Sequence, residues 1–130
     1  MTAHGTGLVI YAKDLARMAG FYQRVLGLEA VESEAGHVVL QGRGIEVIVL
    51  RIPDHVACDI VIADPPAPRE DTPIKPVYFV ASLPALRAAV DVGGGRLQPP
   101  TRQWQFRGTV VLDGFDPEGN VVQFRAPVGG

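Results

Sequence analysis

The feature that most limits the fold of this chain is an internal repeat. In each half, a short apolar stretch is followed by a capping residue, then by apolar residues at helical spacing, and then by glycine. Asp14 in the first half corresponds to Ser82 in the second, and the same offset places Gly27 on Gly95. The chain therefore contains two copies of one structural unit.

The repeat continues into the strands that follow each helix. At a slightly longer offset, the segment Ile45–Ile48 matches Asn120–Gln123. Each copy is too small to bury a core by itself, so two copies are expected to pair their sheets. We predict an α+β fold in which two βαβββ modules form a curved mixed sheet, or half-barrel, around a cleft, with the helices outside.

Apolar alternation and turn residues give the elements of the first copy. The predicted elements are a strand over Thr6–Ala12, a helix over Asp14–Leu26, and strands over Leu28–Ser33, His37–Gln41 and Ile45–Ile52. Cys58–Ala63 is a further candidate strand, ahead of a proline-rich segment.

The second copy follows the same order. It has predicted strands over Val77–Ala81, Arg96–Gln98, Val110–Leu112 and Val121–Arg125, and a helix that is capped by Ser82 and ends at three glycines. We predict a single domain of 130 residues, with module one over 6–52, a linker over 53–76 and module two over 77–126.

Composition excludes several classes of function. The net charge is −2 and like charges do not cluster, so nucleic acid is not expected as a partner. No apolar run has the length of a membrane span, and the N-terminal residues do not resemble a signal peptide. The single cysteine, Cys58, fits a reducing compartment, so we expect a cytoplasmic protein.

Three segments together resemble the vicinal oxygen chelate superfamily, which includes glyoxalase I, bleomycin-resistance and fosfomycin-resistance proteins and extradiol dioxygenases. They read KDLARMAGFYQRVLGLE, SLPALRAAVDVGGG and DPEGNVVQFR. The resemblance implies the fold predicted above and a ligand-binding cleft. It does not fix the chemistry, because one fold hosts unrelated activities.

The resemblance also places four metal-ligand positions, and the residues there do not suit a metal ion. They are Gly7, Ile48, Lys75 and Gln123. Glycine and isoleucine have no donor atom, and lysine is a cation at neutral pH. The three histidines, His4, His37 and His55, lie outside those positions and lack ligand spacing. We therefore expect neither a metal nor another cofactor.

Strand parity selects the side chains that would face the cleft. Our candidate ligand-binding residues are Tyr11, Glu46, Ile48, Lys75, Phe79, Trp104, Gln123 and Arg125. Each has a simpler explanation, since the aromatic residues could belong to the core and the charged ones to the solvated rim. Glu46 and Lys75 could also pair with each other.

Trp104 is the only tryptophan, in an aromatic and cationic stretch without clear periodicity. We expect it to border the cleft and stack on a flat ligand, with Arg102 or Arg107 meeting an anionic group. The alternative is a structural plug at a subunit contact.

Two functions remain open from the sequence. The first is a metal-free protein that sequesters a planar or amphipathic small molecule. The second is a glyoxalase- or dioxygenase-like enzyme, either with Glu46 or Lys75 as an acid–base group or with atypical metal ligands; no catalytic residue is assigned. A vestigial cleft is a third reading. We expect a homodimer, because chains of this size in the superfamily commonly assemble from two subunits.

Overall fold

The computed structural model describes residues 5–129 and has an α+β architecture with two mixed sheets. The chain divides into two compact units, one ending at Val61 and the other beginning at Ile62. The boundary falls inside the predicted linker. No helix within residues 5–129 has the length and apolar character that a membrane span requires.

The first unit contains four strands and two helices in the predicted β-α-β-β-β order. They are β1 (Thr6–Ala12), α1 (Leu15–Leu26), β2 (Glu29–Ser33), β3 (His37–Gly42), β4 (Ile45–Arg51) and α2 (Asp54–Ala57). The sheet order is β1-β4-β3-β2, with β1 and β4 parallel and the other pairs antiparallel.

Helix α1 begins and ends where the sequence predicts. The Asp14 side chain accepts a hydrogen bond from the backbone N–H of Arg17, and Gly27 ends the helix at a φ of 65°. Most of its apolar side chains, including Met18 and Phe21, are buried. The burial of β1 alternates as expected, since Ile10 is buried and Tyr11 is exposed.

The prediction of a strand over Cys58–Ala63 is wrong. The chain forms the one-turn helix α2 after Pro53, and Cys58 and Ile60 donate their backbone N–H groups to Asp54 and Ala57. Because these donors bond to their own helical turn, they do not form a ladder with a neighbouring strand. Val61 is correspondingly exposed.

The second unit repeats this organisation and has one more strand. Its elements are β5 (Val77–Phe79), α3 (Leu83–Gly93), β6 (Arg96–Leu97), β7 (Trp104–Phe106), β8 (Thr109–Phe115) and β9 (Val121–Pro127). The central order is β5-β9-β8, and β6 and β7 both pair with the other edge of β8.

Strand register confirms the alignment of the two copies. Val9 pairs with Ile48 between the parallel strands of the first unit, and Val77 pairs with Gln123 between those of the second. Ile48 and Gln123 therefore occupy equivalent places, as the sequence offset predicts.

Strand β7 is a structural element that the sequence analysis missed. It forms a hairpin with β8 through Arg107 and Gly108, which have φ angles of 49° and 76°. Two consecutive left-handed residues are typical of the tight turn whose twist matches that of a hairpin. The same turn, Arg43-Gly44, joins β3 to β4.

A buried carboxylate fixes the turn that leads into β9. Asp116 is fully buried and accepts hydrogen bonds from the backbone N–H groups of Glu118 and Asn120 at 2.9 and 3.0 Å. Burial, together with the charge of Asp116, raises the pKa of the Tyr78 phenol well above its ordinary value. The turn sets the register of β9 and thus the positions of Gln123 and Arg125.

Candidate functional site

One face of the second sheet carries the residues with the most evident binding chemistry, and we call it the open face. Cross-strand pairs place its members together: Phe79 with Arg125, Asp113 with Gln123, and Trp104 with Val111, which itself pairs with Arg125. The open face comprises Lys75, Val77, Phe79, Trp104, Phe106, Val111, Asp113, Gln123 and Arg125. The intervening residues, such as Tyr78 and Phe124, point to the other side and are buried.

Four polar side chains on the open face form a continuous hydrogen-bonded row, which we call the polar chain. Lys75 Nζ lies 2.7 Å from Asp113 Oδ2. Gln123 Nε2 donates to Asp113 Oδ1 at 3.2 Å, and Gln123 Oε1 accepts from Arg125 Nε at 2.8 Å. The Gln123 amide is only 8% exposed, so its two partners compensate for its lost hydration.

The polar chain ends among three aromatic side chains, which we call the aromatic cluster. The guanidinium carbon of Arg125 lies 4.9 Å from the ring centroid of Phe106 and 5.9 Å from that of Phe79. Both distances are within the range of cation–π attraction. The ring of Trp104 meets Phe106 edge to face at 5.7 Å. Phe79 is 58% exposed, Trp104 48% and Phe106 41%, so all three present apolar surface to solvent.

The other end of the polar chain borders a pocket of about 390 Å³. Lys75, Asp113 and Val121 line it, together with linker residues between Glu70 and Ile74. A volume of this order falls within the usual range of small-molecule pockets.

The remaining predicted site residues lie on the first sheet. Tyr11 is exposed, and Ile48 is half-buried beside its strand partner Val9. Glu46 accepts a hydrogen bond from Gln41 Nε2 at 2.8 Å. Lys75 has its ion-pair partner within the second unit, where its ammonium group contacts Asp113.

Two features of the site were missed from the sequence. The predicted strand stops at Leu112, whereas β8 runs on to Phe115 and places Asp113 opposite Gln123. Arg125 was a candidate from the sequence, but its contact with Phe106 was not predicted, and Arg107 lies in the hairpin turn. Continued alternation beyond Leu112 is the signal that would have identified Asp113.

With this geometry established, similarity to known proteins gives the family. A model described as a glyoxalase-like domain matches residues 7–124, which is most of the chain. The chain belongs to the glyoxalase-like domain family. This confirms membership of the vicinal oxygen chelate superfamily. No curated protein matches the sequence.

Solved structures share the fold of this glyoxalase-like domain at low sequence identity. A glyoxalase-related enzyme from Fulvimarina pelagi is 16% identical with a TM-score of 0.67, over 98% of this chain and 88% of that one. A glyoxalase/bleomycin resistance protein/dioxygenase family enzyme from Burkholderia phytofirmans PsJN is also 16% identical, with a TM-score of 0.67 over 96% and 99% of the two chains.

A third structure is a mutant of the fosfomycin resistance protein FosX from Listeria monocytogenes, in complex with Mn(II) and dihydroxypropylphosphonic acid. It is 13% identical, with a TM-score of 0.67 over 98% of this chain and 92% of that one. At these identities, the likeness concerns the fold alone.

The family's metal-ligand positions do not fit a divalent cation in this glyoxalase-like domain. Lys75 brings its own positive charge, which is paired with Asp113, and Gln123 Oε1 already accepts a hydrogen bond from the Arg125 guanidinium. The side chains at Gly7 and Ile48 have no atom that could bind a metal ion.

Within the described residues, other groups do not replace these positions. Across residues 5–129, no group of three or more His, Cys, Asp or Glu side chains is placed to hold a metal ion. His37 is paired with Glu32, and His55 lies in α2. His4 lies outside the described residues.

Proposed function

We propose that this glyoxalase-like domain is a metal-independent binding protein that sequesters a planar small molecule on the open face. The observation that carries the proposal is the aromatic cluster, which stays exposed directly beside a completed row of hydrogen bonds. The ligand-binding residues are Lys75, Phe79, Trp104, Gln123 and Arg125.

The physical case starts from the exposed aromatic surface. Contiguous exposed apolar side chains that are rimmed by polar groups are typical of binding sites. Trp104, Phe106 and Phe79 offer large, rigid contact areas at a small cost in side-chain entropy. The polar chain holds Gln123 and Arg125 in place before a ligand arrives, so little free energy is spent on ordering them.

Metal independence is supported by the chemistry of the family positions. A divalent ion near Gln123 would face the positive charges of Lys75 and Arg125, with one paired carboxylate to offset them. On the first sheet, taken by itself, we propose Tyr11, Glu46 and Ile48 as ligand-binding residues, because Tyr11 is exposed and the other two are only partly buried. The single cysteine supports residence in a reducing compartment, such as the cytoplasm.

The test is a screen of planar compounds read out by thermal shift and by the fluorescence of Trp104, the only tryptophan in the chain. Each hit is then titrated by calorimetry against Trp104→Ala. We expect this change to weaken binding by about 1–3 kcal/mol, on the scale of aromatic stacking, with little loss of melting temperature. Val92→Ala, an exposed residue on α3 of the same unit, is the matched control and should bind as the wild type does.

Three outcomes would change the proposal. A large drop in melting temperature with unchanged affinity would make Trp104 a structural plug. Hits that bind equally well to both variants would move the site away from the aromatic cluster. Chemical conversion of a bound compound, followed by mass spectrometry, would replace sequestration with catalysis.

A further inference from the structure

We propose that the ligand of the open face is a planar aromatic monocarboxylate and that Arg125 binds its carboxylate group. This inference rests on the proposed function, which places a planar ligand at the aromatic cluster. It adds the charge and functional group of that ligand.

The first argument is the balance of charge on the open face. Lys75 and Asp113 form an ion pair and cancel each other. Among residues 5–129, Arg125 makes no ion pair, whereas Lys75 and Asp113 have each other as partners. The open face therefore carries one uncompensated positive charge, located at Arg125.

The second argument is the supply of hydrogen-bond donors. A guanidinium has five N–H donors, and Arg125 uses the one on Nε to bond Gln123 Oε1. In the described part of the chain, its two terminal amino groups make no hydrogen bond. Two parallel N–H donors match the two oxygens of a carboxylate, and this charge-assisted pair is among the stronger hydrogen-bonded contacts in proteins.

The third argument is the position of Arg125 beside the rings of Phe106 and Phe79. The two aromatic neighbours reduce hydration of the guanidinium and so strengthen its attraction for an anion. They also place Trp104 and Phe106 next to the charge. A flat ring that stacks on these residues can therefore direct an attached carboxylate toward Arg125.

The same observations disfavour other ligand charges. A cationic ligand would compete with Arg125 for the ring faces that it already occupies. A dianion would approach Asp113, whose carboxylate belongs to the same polar chain, with only one spare positive charge to compensate. A single negative charge on a planar body is the best match.

The experiment compares three probes of one shape by titration calorimetry: 2-naphthoate, its neutral amide 2-naphthamide, and 2-naphthyl phosphate. We expect naphthoate to bind at least about tenfold more tightly than the amide and more tightly than the phosphate. Arg125→Met, which keeps an apolar stem, should abolish the preference for the carboxylate over the amide. Arg125→Lys keeps the positive charge but loses the two parallel amino groups, so it should retain only part of the preference for the carboxylate over the amide.

The matched control is Arg24→Met, an exposed arginine on α1 whose loss changes the net charge equally. The Arg24→Met variant should keep the full preference for naphthoate over naphthamide. Because the three probes are first compared on the wild-type protein, the inference is testable even if an Arg125 variant fails to fold.

The outcomes distinguish failure of this inference from failure of the proposed function on which it rests. Equal affinity for the carboxylate and the amide would overturn the role of Arg125 and leave a planar binding site intact. Tighter binding of the phosphate would overturn the choice of a monoanion. Failure of all three probes to bind would count against both the carboxylate assignment and the planar site.

Discussion

The ammonium group of Lys75 lies 2.7 Å from the carboxylate of Asp113, across the open face of the second sheet. The resemblance places Lys75 at a family metal-ligand position, and its ion pair gives that position a structural role. Asp113 also accepts a hydrogen bond from Gln123, at a second such position. Two of the four positions are therefore joined through one carboxylate.

The two partners of this ion pair should contribute unequally to stability. Their side chains are 46% and 24% exposed, so Lys75→Met should lower the free energy of unfolding by less than about 1 kcal/mol. Asp113→Ala should lower the free energy of unfolding by ~1–3 kcal/mol more than Lys75→Met does, because it also removes the acceptor of the buried Gln123 amide. Urea unfolding of both variants measures the difference, and Asp113→Asn, which keeps a carbonyl oxygen, is the control. Equal losses would contradict this account of Gln123.

We expect the protein to hold no stoichiometric divalent metal. The positively charged side chains of Lys75 and Arg125 lie beside Gln123 and would repel a divalent ion there. Protein purified without chelators should contain well below one equivalent of Zn, Ni, Mn or Fe by elemental analysis. Treatment with EDTA should leave both melting temperature and naphthoate affinity unchanged. One full equivalent bound near Gln123 would favour a glyoxalase-like enzyme.

Gly119 should tolerate substitution much less well than Gly44, although both have left-handed φ angles, of 86° and 75°. A Cβ on Gly119 would lie 2.2 Å from the carbonyl oxygen of Ala67, whereas one on Gly44 meets no heavy atom within 4 Å. Gly44→Ala should cost about 1–2 kcal/mol from backbone strain alone. Gly119→Ala should cost clearly more, as measured by urea unfolding. Equal losses of unfolding free energy for the two variants would contradict the close contact between Gly119 and the carbonyl oxygen of Ala67.

Tyr78 should make the protein less stable at alkaline pH. Burial and Asp116 raise its folded-state pKa, so above pH ~10 the unfolded chain releases a proton that the folded chain retains. The stability associated with the protonated phenol is therefore complete below pH ~10 and is lost as the pH rises further, by up to about 1.4 kcal/mol per pH unit. Tyr78→Phe should flatten the alkaline decline in the free energy of unfolding, measured by urea titration between pH 8 and 11. An unchanged slope would contradict the raised pKa.

The protein should form a homodimer. Exposed apolar side chains on the first sheet, such as Val31 on the edge strand β2, would lose contact with water in an assembly. Sedimentation equilibrium at micromolar concentration measures the mass directly. A monomer at that concentration would contradict the prediction.

Much of the fold depends on interactions within a few residues, and these could be predicted from the sequence. The Asp14 and Ser82 caps each bind a backbone N–H three residues ahead, so their role shows in the local pattern. Gly27 supplies the left-handed residue that ends α1. The alternation in β1 and the repeat of the whole unit follow from the same short-range signals.

Contacts between strands were decided only by the tertiary structure. The pairing of Lys75 with Asp113 depends on which segments lie side by side in the second unit, and no local pattern selects that carboxylate. Strand β7 is three residues long and forms because the edge of β8 supplies its hydrogen bonds. The contact of Arg125 with Phe106 arises from that added strand. The sequence by itself therefore determined the repeated unit and its family. The pairing of distant strands decided which residues make up the open face, because only that pairing brings residues from separate strands within hydrogen-bonding distance.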